Sequence, residues 1–236
     1  MKKKIVSVLV ICSIPLAGII TALLTHYFWV REQTVVYFDD EVKFDLSQLP
    51  YKGTDKAIVE IVSVFDPMCH YCDSLNLVLD SVASVYGSHI KLYEKPVALL
   101  NKQSGLLTRT LLVASRHDVY HDMIKEVFRI ASYAKEIKPK KLQDSIMVSV
   151  NKLGLDKNEF KEMMNSKEIK QKIKKQKSEA QKYGIRSIPL VFINGYIMWG
   201  FLPFEKYSDV IEKFITEKGV VLKKISESGE NIETDG

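Results

Sequence analysis

Residues 57–72, AIVEIVSVFDPMCHYC, carry the decisive pattern. Ala57 to Phe65 is rich in β-branched residues and stops at Asp66-Pro67, which reads as a strand running into a turn. A helix is expected from about Cys69 to Tyr86. Its apolar positions Cys72, Leu75, Leu79, Val82 and Tyr86 recur at helical spacing, with Val78 and Val85 alongside. Cys69 and Cys72 therefore straddle a helix start directly after a strand, the sequence sign of a redox dithiol. Positions i and i+3 are neighbours on a helix surface, so the two sulfurs can close a small disulfide ring. Cys69 is expected at the exposed end, where free backbone N–H groups and the helix dipole favour a thiolate. His70 adds positive charge when protonated. Cys72 falls on the apolar stripe and is expected to be buried. That asymmetry makes Cys69 the sulfur that is attacked or attacks, and Cys72 the one that leaves or resolves.

A C-x-x-C pair has other uses. Haem attachment requires a histidine directly after the second cysteine, and Asp73 stands there. Structural zinc needs two more ligands. His117 and His121 have i, i+4 spacing, but 44 residues separate Cys72 from His117, far from finger spacing. These histidines read better as a polar helix face, and no metal site is expected. Copper handling remains open, because Met68, Cys69, His70 and Cys72 are all soft or borderline ligands.

Downstream, His89 to Val97 is a second strand candidate, and Ser104 to about Tyr183 reads as wholly helical, punctuated by Pro139 and with Asp156 as a cap. Eight lysines between Lys161 and Lys182 face only Glu162, Glu168 and Glu179, which reads as a solvated helix face. Leu190–Ile193 and Tyr196–Trp199 flank Asn194-Gly195, whose residues suit the positive φ of a type I′ hairpin turn. A helix is expected from about Phe204 to Glu217.

Upstream, Lys2, Lys3 and Lys4 precede 26 residues, Ile5 to Val30, without an Asp, Glu, Lys or Arg. A spanning helix needs about 20 apolar residues. No A-x-A-like cleavage site closes the run, which favours an uncleaved membrane anchor with its lysines in the cytoplasm. Pro15 and Gly18 interrupt it and keep a cleaved signal segment as the competitor. Cys12 lies inside this segment, so two cysteines remain for the exported part. Residues 31–56 read as a juxtamembrane linker with a short strand near Thr34–Phe38, residues 57–218 as the domain, and residues 219–236 as a tail. The net charge of +5 is largely the three leader lysines, which gives no support to nucleic-acid binding.

The chain resembles the DsbA-like thioredoxin-fold thiol:disulfide oxidoreductases. The residues that carry the resemblance are Phe65-Asp66-Pro67-Met68-Cys69-His70-Tyr71-Cys72 and Gly184-Ile185-Arg186-Ser187-Ile188-Pro189-Leu190-Val191-Phe192-Ile193-Asn194-Gly195. It implies an α/β, thioredoxin-like fold with a helical subdomain inserted at about 104–183. It also implies a cis Ile188-Pro189 peptide against the cysteines, with Ile188 offering backbone to an extended substrate. Cys69, Cys72, His70 and Pro189 are the expected catalytic set, and Ile188, Tyr71 and Met68 the expected substrate contacts, with Trp199 and Phe201 close by. Family members often carry an acidic residue on the strand beneath the cysteines. Here Ser63 occupies that place, with Glu60 and Asp66 nearby. The implied function is disulfide formation in exported cysteine-containing proteins, at the cell envelope, without a cofactor. A quinone-linked membrane partner would reoxidise the pair. A reductase or isomerase fed by a membrane electron donor, a Cu(I) metallochaperone and an inactive scaffold are the alternatives.

Overall fold

A computed structural model describes Thr21, residues 35–37 and residues 44–218 of the protein. Thr21 apart, the expected anchor at residues 5–30 and the tail at 219–236 lie outside the described residues. Among the described residues, no helix is long and apolar enough to cross a membrane.

The β-branched run at the centre of the sequence forms β3 (Val59–Phe65), with β1 (Val35–Tyr37) and β2 (Tyr51–Gly53) before it. Helix α1 (His70–Tyr86) crosses over to β4 (Ile90–Pro96), which lies parallel to β3, as a strand–helix–strand crossover requires. Five helices follow: α2 (Lys102–Ala114), α3 (Tyr120–Ala134), α4 (Pro139–Lys152), α5 (Lys157–Asn165) and α6 (Lys167–Lys182). The chain then returns to the sheet as β5 (Leu190–Ile193) and β6 (Tyr196–Trp199), and ends in α7 (Phe204–Glu217). The strand order is β1-β6-β5-β3-β4-β2.

Side-chain alternation on β3 assigns each face of the sheet a partner. Val59 and Ile61 pack with Leu75, Leu79 and Val82 of α1 and with Tyr207, Ile211 and Ile215 of α7. Val62 and Val64 face the other way, towards Phe192, Leu190, Ala180 and Ile185. Phe65, at the end of the strand, belongs to a third cluster that is otherwise mostly insertion: Leu107, Leu111, Met123, Val127, Phe128 and Ile146. Met68 and Cys72 join the same cluster. The cysteine loop therefore sits where the sheet unit meets the helical insertion.

Local signals set the boundaries. Asn101 and Ser104 form a reciprocal capping box on α2, Asp156 accepts from the backbone of Asn158 and Glu159 at α5, and Pro139 opens α4. At the hairpin tip, Asn194 has φ 43° and Gly195 φ 91°, the turn expected from Asn-Gly. The Asn194 side chain also accepts from the Glu60 N–H at 2.8 Å, which ties the tip to β3.

Residues 31–56, read from sequence as a linker, behave differently. They supply both edge strands of the sheet: β1 pairs with β6, and β2 with β4. Phe44 packs edge-on against Phe192 with ring centroids 4.9 Å apart. The backbone N–H of Asp45 donates to Glu179 on α6 at 2.9 Å. The short strand expected near Thr34–Phe38 is β1, whereas β2, at three residues too short to display alternation and paired with β4 far along the chain, has no local signal.

Candidate active site

The loop that delivers the cysteines is organised by a buried carboxylate. Asp66 is fully buried. One of its oxygens accepts from the Met68 N–H at 2.8 Å, and the other from the N–H groups of Leu99 and Leu100 at 2.7 and 2.9 Å. Its carbonyl accepts from the Cys69 N–H at 2.9 Å. A carboxylate that binds three backbone donors is a satisfied buried charge, and it fixes the turn between β3 and α1.

Cys69 is the N-cap of α1, in an extended conformation, and no side chain caps the helix there. The backbone N–H groups of Tyr71 and Cys72 in the first turn are thus turned towards its sulfur. Cys69 is half-buried, whereas Cys72 is 2% exposed. The hydrogen bond from the Cys72 thiol, helped by the backbone N–H groups of Cys72 and Tyr71, brings the Cys69 thiol down to about 7, against the opposing effect of burial. The same hydrogen bond, together with burial, pushes Cys72 well above the ordinary cysteine range. In the reduced pair the negative charge therefore collects on the accessible sulfur.

The second motif reaches the same place. Ile188-Pro189 is a cis peptide, and the Ile188 carbonyl oxygen lies 3.9 Å from Cys69 Sγ. The Gly200 N–H donates to the Pro189 carbonyl at 2.9 Å, which holds the loop after β6 alongside. Phe201 on that loop is 45% exposed and Tyr71 62% exposed, while His70 is exposed at the first position of α1. Met68, an expected substrate contact, lines the cleft beside Cys69 but is largely enclosed. It is 7% exposed, because its side chain turns into the cluster shared with the insertion.

One part of the site escaped the sequence reading. A cleft of about 170 Å³ opens beside Cys69, lined on one side by Pro67, Met68, His70 and Asp73, and on the other by Phe128, Ala131 and Ser132 of α3 and by Lys135, which caps that helix. The α3 periodicity identifies a helix but gives no hint that this turn meets the cysteine loop. His121 places Nδ1 2.9 Å from the Glu94 carboxylate. Among the described residues, no group of three or more His, Cys, Asp or Glu side chains could hold a metal ion.

The model of the DSBA-like thioredoxin domain matches residues 60–212, well over half of the chain. The chain belongs to the DsbA-like thioredoxin-domain family. The thiol:disulfide interchange protein DsbA of Buchnera aphidicola from Acyrthosiphon pisum is 22% identical over 165 residues, 68% of this chain and 76% of that protein. An uncharacterised protein of Haemophilus influenzae is 25% identical over 189 residues, 78% of each chain. The crystal structure of Pseudomonas aeruginosa DsbA superposes with a TM-score of 0.59 at 21% identity, covering 79% of this chain and 94% of that one. The fold is thus the thioredoxin-like α/β fold of DsbA proteins, and the DsbA-like chain is a protein-disulfide oxidoreductase.

Proposed function

We propose that the protein forms disulfides in exported proteins, outside the cytoplasm, by exchange at Cys69-His70-Tyr71-Cys72. A substrate thiolate attacks Cys69 Sγ of the oxidised pair. The Cys69–Cys72 bond breaks, its electron pair goes to Cys72, and Cys72 takes up a proton. A second substrate thiolate then attacks the substrate sulfur of the mixed disulfide and releases Cys69 as a thiolate. The substrate loses two electrons and two protons in all, and the pair gains the electrons. A membrane redox partner, quinone-linked by family analogy, takes them up again. Ile188 backbone pairs with the extended substrate, Pro189 places no N–H donor against the sulfurs, and exposed Tyr71 offers an apolar contact.

The observation that carries this reading is the split between the two sulfurs. A lowered Cys69 is a better leaving group in the step that frees oxidised substrate. His70 sits where its cationic form would reinforce that thiolate.

The same observation favours a second reading. A Cys69 thiol lowered below the ordinary cysteine range is also the attacking nucleophile of a reductase, whose thiolate opens substrate disulfides. A reductase or isomerase kept reduced by a membrane donor uses the same residues in the opposite direction. The equilibrium of the Cys69–Cys72 pair with glutathione separates the two: a strongly oxidising potential supports disulfide formation, and a thioredoxin-like one selects the reductase. The exchange chemistry common to both has its own test. Cys72→Ser should accumulate mixed disulfides with reduced substrate proteins and Cys69→Ser none, while alkylation of Cys69 in the reduced protein should have its midpoint near pH 7. Absence of adducts on Cys72→Ser would remove the foundation of both readings.

A further inference from the structure

We propose that the cleft between α1 and α3 is a subsite for one apolar side chain of the substrate, belonging to the residue beside the cysteine that becomes bonded to Cys69. The inference rests on the exchange chemistry above and adds to it a choice among substrates.

Cys69 is itself part of the cleft wall, so a substrate held there through a mixed disulfide has its neighbouring residue, one Cα–Cα step of about 3.8 Å away, at the cleft mouth. Ile188 lies against the same sulfur but is not in the cleft lining, so the cleft receives the part of the substrate that leads away from the Ile188 backbone.

The lining is graded. Phe128 and Met68 form a floor that is 5% and 7% exposed, with buried Pro67 beside them and half-buried Ala131 above. The floor is held in place from below. Phe65 lies under the Phe128 ring with centroids 5.5 Å apart, and Asp66 fixes the Met68 backbone. The rim is exposed and polar: His70, Asp73, Ser132 and Lys135. Asp73 and Lys135 place one charge of each sign there, so the rim does not select an acidic or a basic neighbour. What remains to be read is apolar volume. An apolar cavity of about 150 Å³ admits benzene, so a cleft of about 170 Å³ fits a leucine or phenylalanine side chain, and glycine would leave it unfilled.

The test measures oxidation of two-cysteine peptides by the oxidised full-length protein. Leucine, phenylalanine, glycine or glutamate flanks the first cysteine on either side, and dithiothreitol serves as a substrate with no neighbour at all. The unaltered protein should favour leucine and phenylalanine over glycine and glutamate by about tenfold or more in the second-order rate constant of single-turnover oxidation, the discrimination typical of a hydrophobic pocket. Ala131→Phe fills the cleft from α3, and Ser132→Trp obstructs it from an exposed position that should not disturb folding. Both should flatten the preference among the peptides, with each variant's peptide rates taken relative to its own dithiothreitol rate. Equal rates for all peptides in the unaltered protein, or a preference that survives both substitutions, would overturn the subsite while leaving exchange intact. Failure to oxidise even dithiothreitol would strike the proposed function itself, and the subsite with it.

Discussion

Two carboxylates near α3 make the same kind of contacts in very different surroundings. Glu94, on β4, has a side chain 2% exposed, and its Oε2 lies 2.9 Å from both Lys52 Nζ and His121 Nδ1. Those partners are themselves only 21% and 32% exposed, and Lys52 also reaches Asp80 of α1 at 2.5 Å. Glu126 lies further along α3, with Arg129 at 2.7 Å and Lys152 at 2.5 Å, and those cations are 54% and 66% exposed. Glu94 joins β2, β4, α1 and the start of α3, so it fastens the insertion to the sheet. Glu126 joins α3 to α4 within the insertion. A carboxylate whose cations face water can be lost cheaply, since water takes over the cations. One whose partners are half enclosed leaves them stranded.

The largest effect is therefore expected at the joint. Glu94→Gln should cost about 2–3 kcal/mol, because Lys52 and His121 lose their shared anion in a partly dry site and only Lys52 keeps an alternative, Asp80. The urea midpoint should fall with the slope unchanged, the mark of lost stability without a changed unfolded state. A cost below that of Glu126→Gln would reverse the comparison.

Acid should erase the same gap. Burial pushes the Glu94 carboxyl up, but the hydrogen bond from His121 and the charge of Lys52 outweigh it and hold the group below the ordinary carboxylate value. A carboxyl depressed in the folded state adds stability that is complete above its unfolded value, about 4.3, and is lost as pH falls through the folded one. Urea midpoints of the unaltered protein and Glu94→Gln should thus converge below about pH 4. A gap that stays constant to pH 2 would mean that the Glu94 charge contributes nothing.

A smaller effect is expected from the neutral contact at the same joint. Tyr120, fully buried at the start of α3, donates its hydroxyl to the Glu94 carbonyl at 2.5 Å. Tyr120→Phe keeps the ring and removes that donor, at a cost of about 1 kcal/mol by urea unfolding. Paired with Glu94→Gln, it should be non-additive, since both changes loosen one contact between α3 and β4.

These joints also mark where the sequence stops being readable. β3, α1, the Asn194-Gly195 hairpin and α7 carry their own local signals, and the Cys69–Cys72 spacing marks a candidate redox pair. The hold of the insertion on the sheet does not. His121 lies 27 residues from Glu94, and Lys52 comes from an edge strand of three residues. No periodicity connects them, because only tertiary folding brings them together. The cleft is hidden for the same reason: Phe128 reads as one more apolar position of α3 until Phe65 and Met68 are seen beneath it. The missing acid at Ser63 is a related case. Ser63 pairs in register with Glu94 across β3 and β4, so a buried acid stands one strand over from the position that carries one in the family resembled, with Lys52 and His121 rather than the cysteines as its partners.

The smallest effect tests the other side of the comparison. The hydrogen bond from Lys152, with Arg129 and the Ser149 hydroxyl, brings the Glu126 carboxyl down to about 2 despite the opposing pull of burial. Taken alone, that lowering would suggest a stronger contact than Glu94 has. Both cations are more than half exposed, however, so after Glu126→Gln they return to water rather than to a stranded state. The expected loss is below about 1 kcal/mol. It should shrink further in about 1 M salt, where screening reaches about 3 Å, whereas the loss at Glu94 should persist. Equal salt sensitivity at the two sites would show that exposure of the cations is not what separates them.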